Sequence, residues 1–223
     1  MDNSEYLLKY AMDALNEASV PLDRWAVGGG TVLKLTYAHR ESKDIDIFIN
    51  DAQILSCLSP RFNDITENAL DYDETANYIT LTYPEGKVDF INSSQITSFI
   101  PSQHDFYGQH IYVEDPVEII CKKIYHRGKQ VLPRDIFDLA VVYNSDRKAD
   151  LLSSSIKIQS QVEDFIKSFY KCKQSMTPYS ISYDDMLLTG GLKIKGKEFD
   201  ICQSYINHVQ AKFHNLTQKD FTR

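Results

Sequence analysis

The stretch WAVGGGTVLKLTYAHRESKDIDIFIN, Trp25 to Asn50, decides how the rest of the chain is read. Trp25, Ala26 and Val27 form a short apolar strand pattern, which breaks into Gly28, Gly29 and Gly30 before a helical run carrying Val32, Leu33 and Leu35. Strand, glycine turn and helix make a phosphate-handling layout. Glycines let the backbone approach a ligand without a Cβ clash, and Thr31 can offer its hydroxyl at the helix N-terminus, where unpaired N–H groups favour anions. A polar loop leads to a second strand, Asp44 to Ile49, whose period of two sets Asp44 and Asp46 on one face and Ile45 and Ile47 on the other.

Two carboxylates at that spacing have Cβ atoms about 6 to 7 Å apart. At an effective dielectric near 20 they repel by roughly 2 to 3 kcal/mol. A divalent cation converts that repulsion into a site, and Mg²⁺ is commonly held by one or two carboxylates together with substrate phosphates. The competing reading is a solvated polar face on an edge strand. It loses weight because a phosphate-type turn and a carboxylate pair on the following strand seldom occur together by chance.

These residues resemble the polymerase β type of nucleotidyltransferase, whose signature is a Gly-Gly or Gly-Ser turn followed by Asp-x-Asp or Asp-x-Glu. More narrowly, Gly29-Gly30-Thr31 with the run from His39 through Arg40, Ser42, Asp44 and Asp46 to Phe48 resembles the AbiEii toxin family. The resemblance implies a cytoplasmic enzyme of a type IV toxin–antitoxin, abortive-infection system. It also implies an α/β (α+β) fold: a mixed sheet flanked by helices, followed by a C-terminal helical bundle.

Composition sets the frame for this reading. With 24 Lys and Arg against 31 Asp and Glu, the net charge is −7, which argues against broad nonspecific nucleic-acid binding and leaves local basic patches open. Cys57, Cys121, Cys172 and Cys202 are scattered without paired metal spacing, as expected of reduced thiols. No apolar run approaches a membrane span, and the first ten residues lack the basic and apolar regions of a secretory leader.

Along the chain, Leu7, Leu8, Ala11, Ala14 and Leu15 predict a helix that Pro21 breaks. Asp51 to Cys57 predicts a short helix, and Pro60 to Tyr72 is too mixed to assign. Asn77 to Leu81 with Tyr83, then Pro84-Glu85-Gly86, then Lys87 to Ile91 predicts a hairpin with Asp89 mid-strand between Val88 and Phe90. An Asp among strand apolars needs a cation or several donors if buried, or an exposed face if not. In the resembling superfamily a third carboxylate comes from a later strand, and Asp89 is the matching position, as metal ligand and base.

The segment from Ser94 to Val113 reads as loop with one or two short strands, such as His110 to Val113. Asp115, Pro116 and Glu118 then predict a helix start and Gly128 its end, with Ile120, Cys121, Ile124 and Tyr125 on the buried side. Here the resemblance extends. The family carries Pro-x-Glu-x-x-x-x-Lys followed by Arg-Asp-x-x-Asp-Leu, and Pro116, Glu118, Lys123, Arg134, Asp135, Asp138 and Leu139 match. It makes Lys123 a triphosphate contact and places Arg134, Asp135 and Asp138 in supporting roles, where a salt bridge and a catalytic contribution are equally open. Arg40 and Ser42 join Gly29, Gly30 and Thr31 as nucleotide-binding candidates.

The polar break from Asn144 to Lys148 suggests a boundary, giving a nucleotidyltransferase domain at 1–145 and a helical domain at 146–223, with the site in the cleft between them. Helices are predicted over Asp150 to Lys173, Tyr183 to Leu188 and Glu198 to Phe213. Lys167, Lys171, Lys173, Lys193, Lys195 and Lys197 form either a basic wall or ordinary solubilising charge. The expectation is metal-assisted transfer of NMP from an NTP. Asp44, Asp46 and Asp89 would hold Mg²⁺ or Mn²⁺, the 3′ end of a tRNA would be the acceptor, and a cognate antitoxin the partner. Two alternatives stand beside it: a small-molecule nucleotidyltransferase of the antibiotic-modifying kind, and a non-catalytic binding module of the same fold.

Overall fold

A computed structural model describes residues 2–175 and 187–220, the last five by their backbone. The chain folds as two compact units. The first draws on residues 1–36, 41–95 and 99–115, and the second on 37–40, 96–98 and 116–223.

The first unit is built on a seven-stranded mixed sheet in the order β3-β4-β5-β2-β1-β7-β6. Its strands are β1 (Trp25–Gly28), β2 (Ile45–Ile49), β3 (Asp71–Glu74), β4 (Tyr78–Tyr83), β5 (Gly86–Asn92), β6 (Ser102–Phe106) and β7 (Gln109–Val113). β1 runs antiparallel to β2 and β2 parallel to β5, while β3-β4-β5 and β6-β7 are antiparallel meanders. Alternation fixes the faces: Ile45, Ile47 and Ile49 of β2 are buried while Asp46 and Phe48 between them are half-buried. Ile79, Leu81, Val88 and Phe90 continue the apolar face. α1 (Asn3–Glu17), which contributes Leu7, Leu8, Ala11 and Leu15, and α3 (Ala52–Cys57), which contributes Leu55, pack on the sheet through β5. Each such leucine gives about 1.5–3 kcal/mol on burial.

Helix α3 starts where Asp51 accepts the Gln53 N–H at 3.0 Å, the cap expected of an Asx residue before an apolar run. α2 (Gly29–Tyr37) follows β1 without an intervening loop, because Gly29 turns the chain with φ at +69°. The stretch from Ser94 to Val113 holds two short strands, β6 and β7, paired as a hairpin. The polar β6, Ser102 to Asp105, is fully exposed at the sheet's edge, so it carries no apolar alternation to read. Pro60 to Tyr72 resolves into a 3₁₀ turn at Thr66–Asn68 and the first residues of β3.

The second unit is helical: α4 (Pro116–Arg127), α5 (Pro133–Tyr143), α6 (Lys148–Ser155), α7 (Gln159–Ser175) and α8 (Glu198–Asp220). Ile136, Phe137, Phe165, Phe169, Tyr205, Ile206 and Val209 form its core. Tyr205 is wholly buried, and its hydroxyl pairs with the Ser155 hydroxyl at 2.9 Å. Tyr125 is 47% exposed, contrary to the predicted buried side of α4, and Lys122 is buried against Glu118 in its place. The predicted helix over Tyr183 to Leu188 falls mostly outside the described residues. Gly190 and Gly191 do more than break a helix. They run so close to residues 37–40 that a Cβ would lie 2.0 Å from the Tyr37 carbonyl oxygen and 1.9 Å from that of His39.

Candidate active site

The carboxylate face of the first unit follows from strand register. Gly28 pairs with Asp46, Asp46 with Asp89, and Asp89 with Thr80, so these residues form one row across β1, β2, β5 and β4. Asp44 lies just before β2. Its Oδ1 accepts the Lys87 N–H at 3.1 Å, which ties it to the start of β5. Asp46 leans on the glycine turn: a Cβ on Gly29 would meet its Oδ2 at 1.6 Å. Only glycine fits there, both for that approach and for its positive φ.

Asp89 is the perturbed member of the row. Burial, with Asp46 and Asp44 adding like charge, pushes its carboxyl up to about 6, against the hydrogen bond from the Thr80 hydroxyl and the charge of Lys87. A face with this excess of hard oxygen donors and negative charge suits a divalent cation. Among the described residues no three His, Cys, Asp or Glu side chains are already drawn together as a metal cage. Asp44 and Asp89 each have one oxygen turned to a protein donor instead.

Thr31 is fully buried, and its hydroxyl donates to the Asp44 carbonyl at 2.6 Å. It therefore joins the glycine turn to the carboxylate strand and does not present its hydroxyl outward. Ser42 accepts Lys34 Nζ through its backbone carbonyl at 3.4 Å. Thr80 was not singled out by sequence, although Thr beside a mid-strand Asp on the neighbouring strand was the available signal.

In the second unit, Asp138 is the centre of a buried ion cluster. Its Oδ1 receives His39 Nε2 at 2.8 Å and Arg40 Nε at 2.7 Å, and its Oδ2 receives Arg40 Nη2 at 2.8 Å, with Lys123 Nζ at 3.1 Å. Burial acts to raise the Asp138 carboxyl, but Lys123, His39 and Arg40 outweigh it and hold it well below the usual carboxylate range. Lys123 also meets Asp135 at 3.1 Å, and Arg127 reaches the same Asp135 oxygen at 2.8 Å. The other Asp135 oxygen accepts the Leu132 N–H at 3.2 Å and so closes the first turn of α5. Arg134 is exposed. Glu118 is buried and accepts the Ile96 and Thr97 N–H groups at 2.9 and 2.8 Å, which binds residues 96–98 to α4.

The profile of one family, described as Nucleotidyl transferase AbiEii toxin, Type IV TA system, matches residues 11–187. The chain belongs to the AbiEii family. Among solved structures, this AbiEii chain is similar to MenT4, a nucleotidyltransferase toxin from Mycobacterium tuberculosis H37Rv. The two share 14% identity and a TM-score of 0.52 over 93% of this chain and 84% of MenT4. It is also similar to JHP933 from Helicobacter pylori, with 12% identity and a TM-score of 0.45 over 99% of both chains. The likeness to MenT4 is one of fold. No curated protein matches the sequence. Membership makes the AbiEii chain a nucleotidyltransferase-type toxin of the type IV class, and no described helix is long and apolar enough to cross a membrane.

Proposed function

We propose that this AbiEii chain transfers a nucleoside monophosphate from an NTP to the 3′ end of an RNA, tRNA being the acceptor that the family resemblance suggests, and that growth arrest follows. The observation that carries the reading is the row Gly28–Asp46–Asp89, with the Asp46 carboxylate set against a glycine that tolerates no side chain. A glycine turn at a helix start, facing two register-paired carboxylates, suits a triphosphate and its counter-ion.

In this reading Gly29 and Gly30 present backbone N–H groups to the triphosphate, and Thr31 fixes the turn through its bond to Asp44. Asp44, Asp46 and Asp89 would hold Mg²⁺ or Mn²⁺, which would supply positive charge to the transferring phosphoryl group. The acceptor hydroxyl oxygen bonds to the α-phosphorus, the bond from that phosphorus to the β-phosphate oxygen breaks, and pyrophosphate leaves. Asp89, the carboxylate of the row farthest from the glycine turn, takes the hydroxyl proton. Arg40, Ser42 and Lys123 remain nucleotide-binding candidates on the resemblance alone, with Arg134, Asp135 and Asp138 in support. Arg40 and Lys123 are both engaged with Asp138 within their own unit. The functional division proposed is 1–145 for transfer chemistry and 146–223 for the helical domain. A cognate antitoxin and a cytoplasmic location belong to the same proposal.

The test is to incubate the protein with each α-labelled NTP, Mg²⁺ and total tRNA beside Asp44→Ala, and to resolve the products on a denaturing gel. Label on tRNA from the wild type alone is expected. Label confined to small molecules, or undiminished in Asp44→Ala, refutes the reading.

A further inference from the structure

The carboxylate row does not end at Asp89. Thr80 pairs with Asp89 across β4 and β5, and Asp73 pairs with Thr80 across β3 and β4, so Asp46, Asp89, Thr80 and Asp73 follow one another toward the sheet's edge strand β3. Tyr78 lies two residues before Thr80 and so shares this face. Its hydroxyl donates to Asp73 Oδ2 at 2.8 Å. Asp73, and more weakly Asp89, push the Tyr78 phenol up, so both carboxylates act on the same hydroxyl. Asp73 is exposed and Tyr78 half-buried, so this end of the row is open to solvent.

Direction is set by the chemistry, and this step rests on the proposed transfer reaction. In an in-line displacement the attacking oxygen and the leaving pyrophosphate lie on opposite sides of the phosphorus. The glycine turn on β1, at one end of the row, is the seat of the leaving group. The acceptor therefore enters from the other end, over β4 and β3. Two strand spacings put Asp73 roughly 10 Å from Asp89, a distance comparable with the span of one nucleoside.

We propose that Asp73 and Tyr78 form the subsite for the acceptor's terminal base. Tyr78 flanks the ring, and Asp73 accepts a hydrogen bond from an exocyclic amino group. With Oδ2 accepting the Tyr78 hydroxyl, the exposed Asp73 carboxylate keeps acceptor capacity, and a group that only accepts selects a base edge that donates. The subsite thus favours RNA ending in adenosine or cytidine over bases lacking an amino group.

The experiment compares kcat/KM for RNAs that differ only in the terminal nucleoside: adenosine against purine riboside, and cytidine against its analogue without the amino group. It is run with wild type, Asp73→Asn and Tyr78→Phe. The wild type is expected to prefer the amino-bearing end by about tenfold or more, in keeping with one charge-assisted hydrogen bond. Asp73→Asn is expected to lose most of that preference and Tyr78→Phe part of it, with KM for the NTP unchanged in both. Transfer with equal use of both ends by the wild type, or a preference that survives Asp73→Asn, overturns the subsite while the transfer reading stands. No transfer to any RNA by the wild type overturns both.

Discussion

Replacing Asp89 with Asn should abolish transfer and yet make the cation-free protein more stable at alkaline pH. Burial and the two neighbouring aspartates raise the folded-state pKa of Asp89 from 3.8 to about 6. A shift of about two units corresponds to about 3 kcal/mol at 1.36 kcal/mol each, and partial exposure of the side chain lowers this to about 1–3 kcal/mol. Because the folded pKa is above the unfolded one, the folded state holds the proton more tightly. The penalty is absent below about pH 4, grows as pH rises through 6 and is complete above about pH 7. Asn carries no such penalty, and its side-chain oxygen can still accept the Thr80 hydroxyl. Thermal melts in a chelator should then show Asp89→Asn higher than wild type by about 2–12 °C near pH 8, since about 1 kcal/mol moves a chain of this size by about 2–4 °C. The gap should close as pH falls toward 4. Added Mg²⁺ should raise the wild type and leave Asp89→Asn nearly unchanged. A variant less stable than wild type at alkaline pH, or a gap independent of pH, would show that Asp89 is not held under electrostatic stress.

Two further outcomes concern the other ends of the network. Asp138→Ala removes the acceptor for His39, Arg40 and Lys123 and leaves buried cations uncompensated; urea titration should report a loss of about 3–5 kcal/mol. Gly29→Ala places a methyl group on the Asp46 carboxylate and demands a positive φ of an L-residue. It should cost about 1–3 kcal/mol in the same titration and eliminate label transfer.

What could be read from the sequence was whatever short-range periodicity encodes. The alternation Asp44-Ile45-Asp46-Ile47 fixed which face of β2 is polar, and β2 bears it out. Asp89 between Val88 and Phe90 likewise marked a strand with one polar position, and β5 follows it. The partner of Asp46 across the sheet was not legible, since parallel register with β5 depends on how the chain crosses over and not on either strand's pattern. In the hairpin of β6 and β7 only the second strand could be placed from sequence, because an exposed edge strand needs no apolar face. Glu118 read as half of a capping box, but the donors it accepts come from Ile96 and Thr97, some twenty residues away in the chain. No local rule supplies that pairing.

The motif that identified the family is also less uniform than its continuity in sequence suggests. Between His39 and Asp46 the chain passes from one compact unit to the other: His39 and Arg40 belong with the helices, Asp44 and Asp46 with the sheet. His39 and Arg40 are buried and bound to Asp138, a residue nearly a hundred positions later that belongs to the Arg-Asp-x-x-Asp-Leu element of the same family pattern. Two separated parts of the pattern are thus one ion cluster. At position 40 the cluster uses the planar guanidinium of Arg, which takes both Asp138 oxygens through Nε and Nη2, a geometry that Lys cannot reproduce. The residues of this stretch therefore serve two separate structural ends. Asp44 and Asp46 set carboxylates beside the glycine turn and the start of β5, whereas His39 and Arg40 bind a buried aspartate within the helical unit.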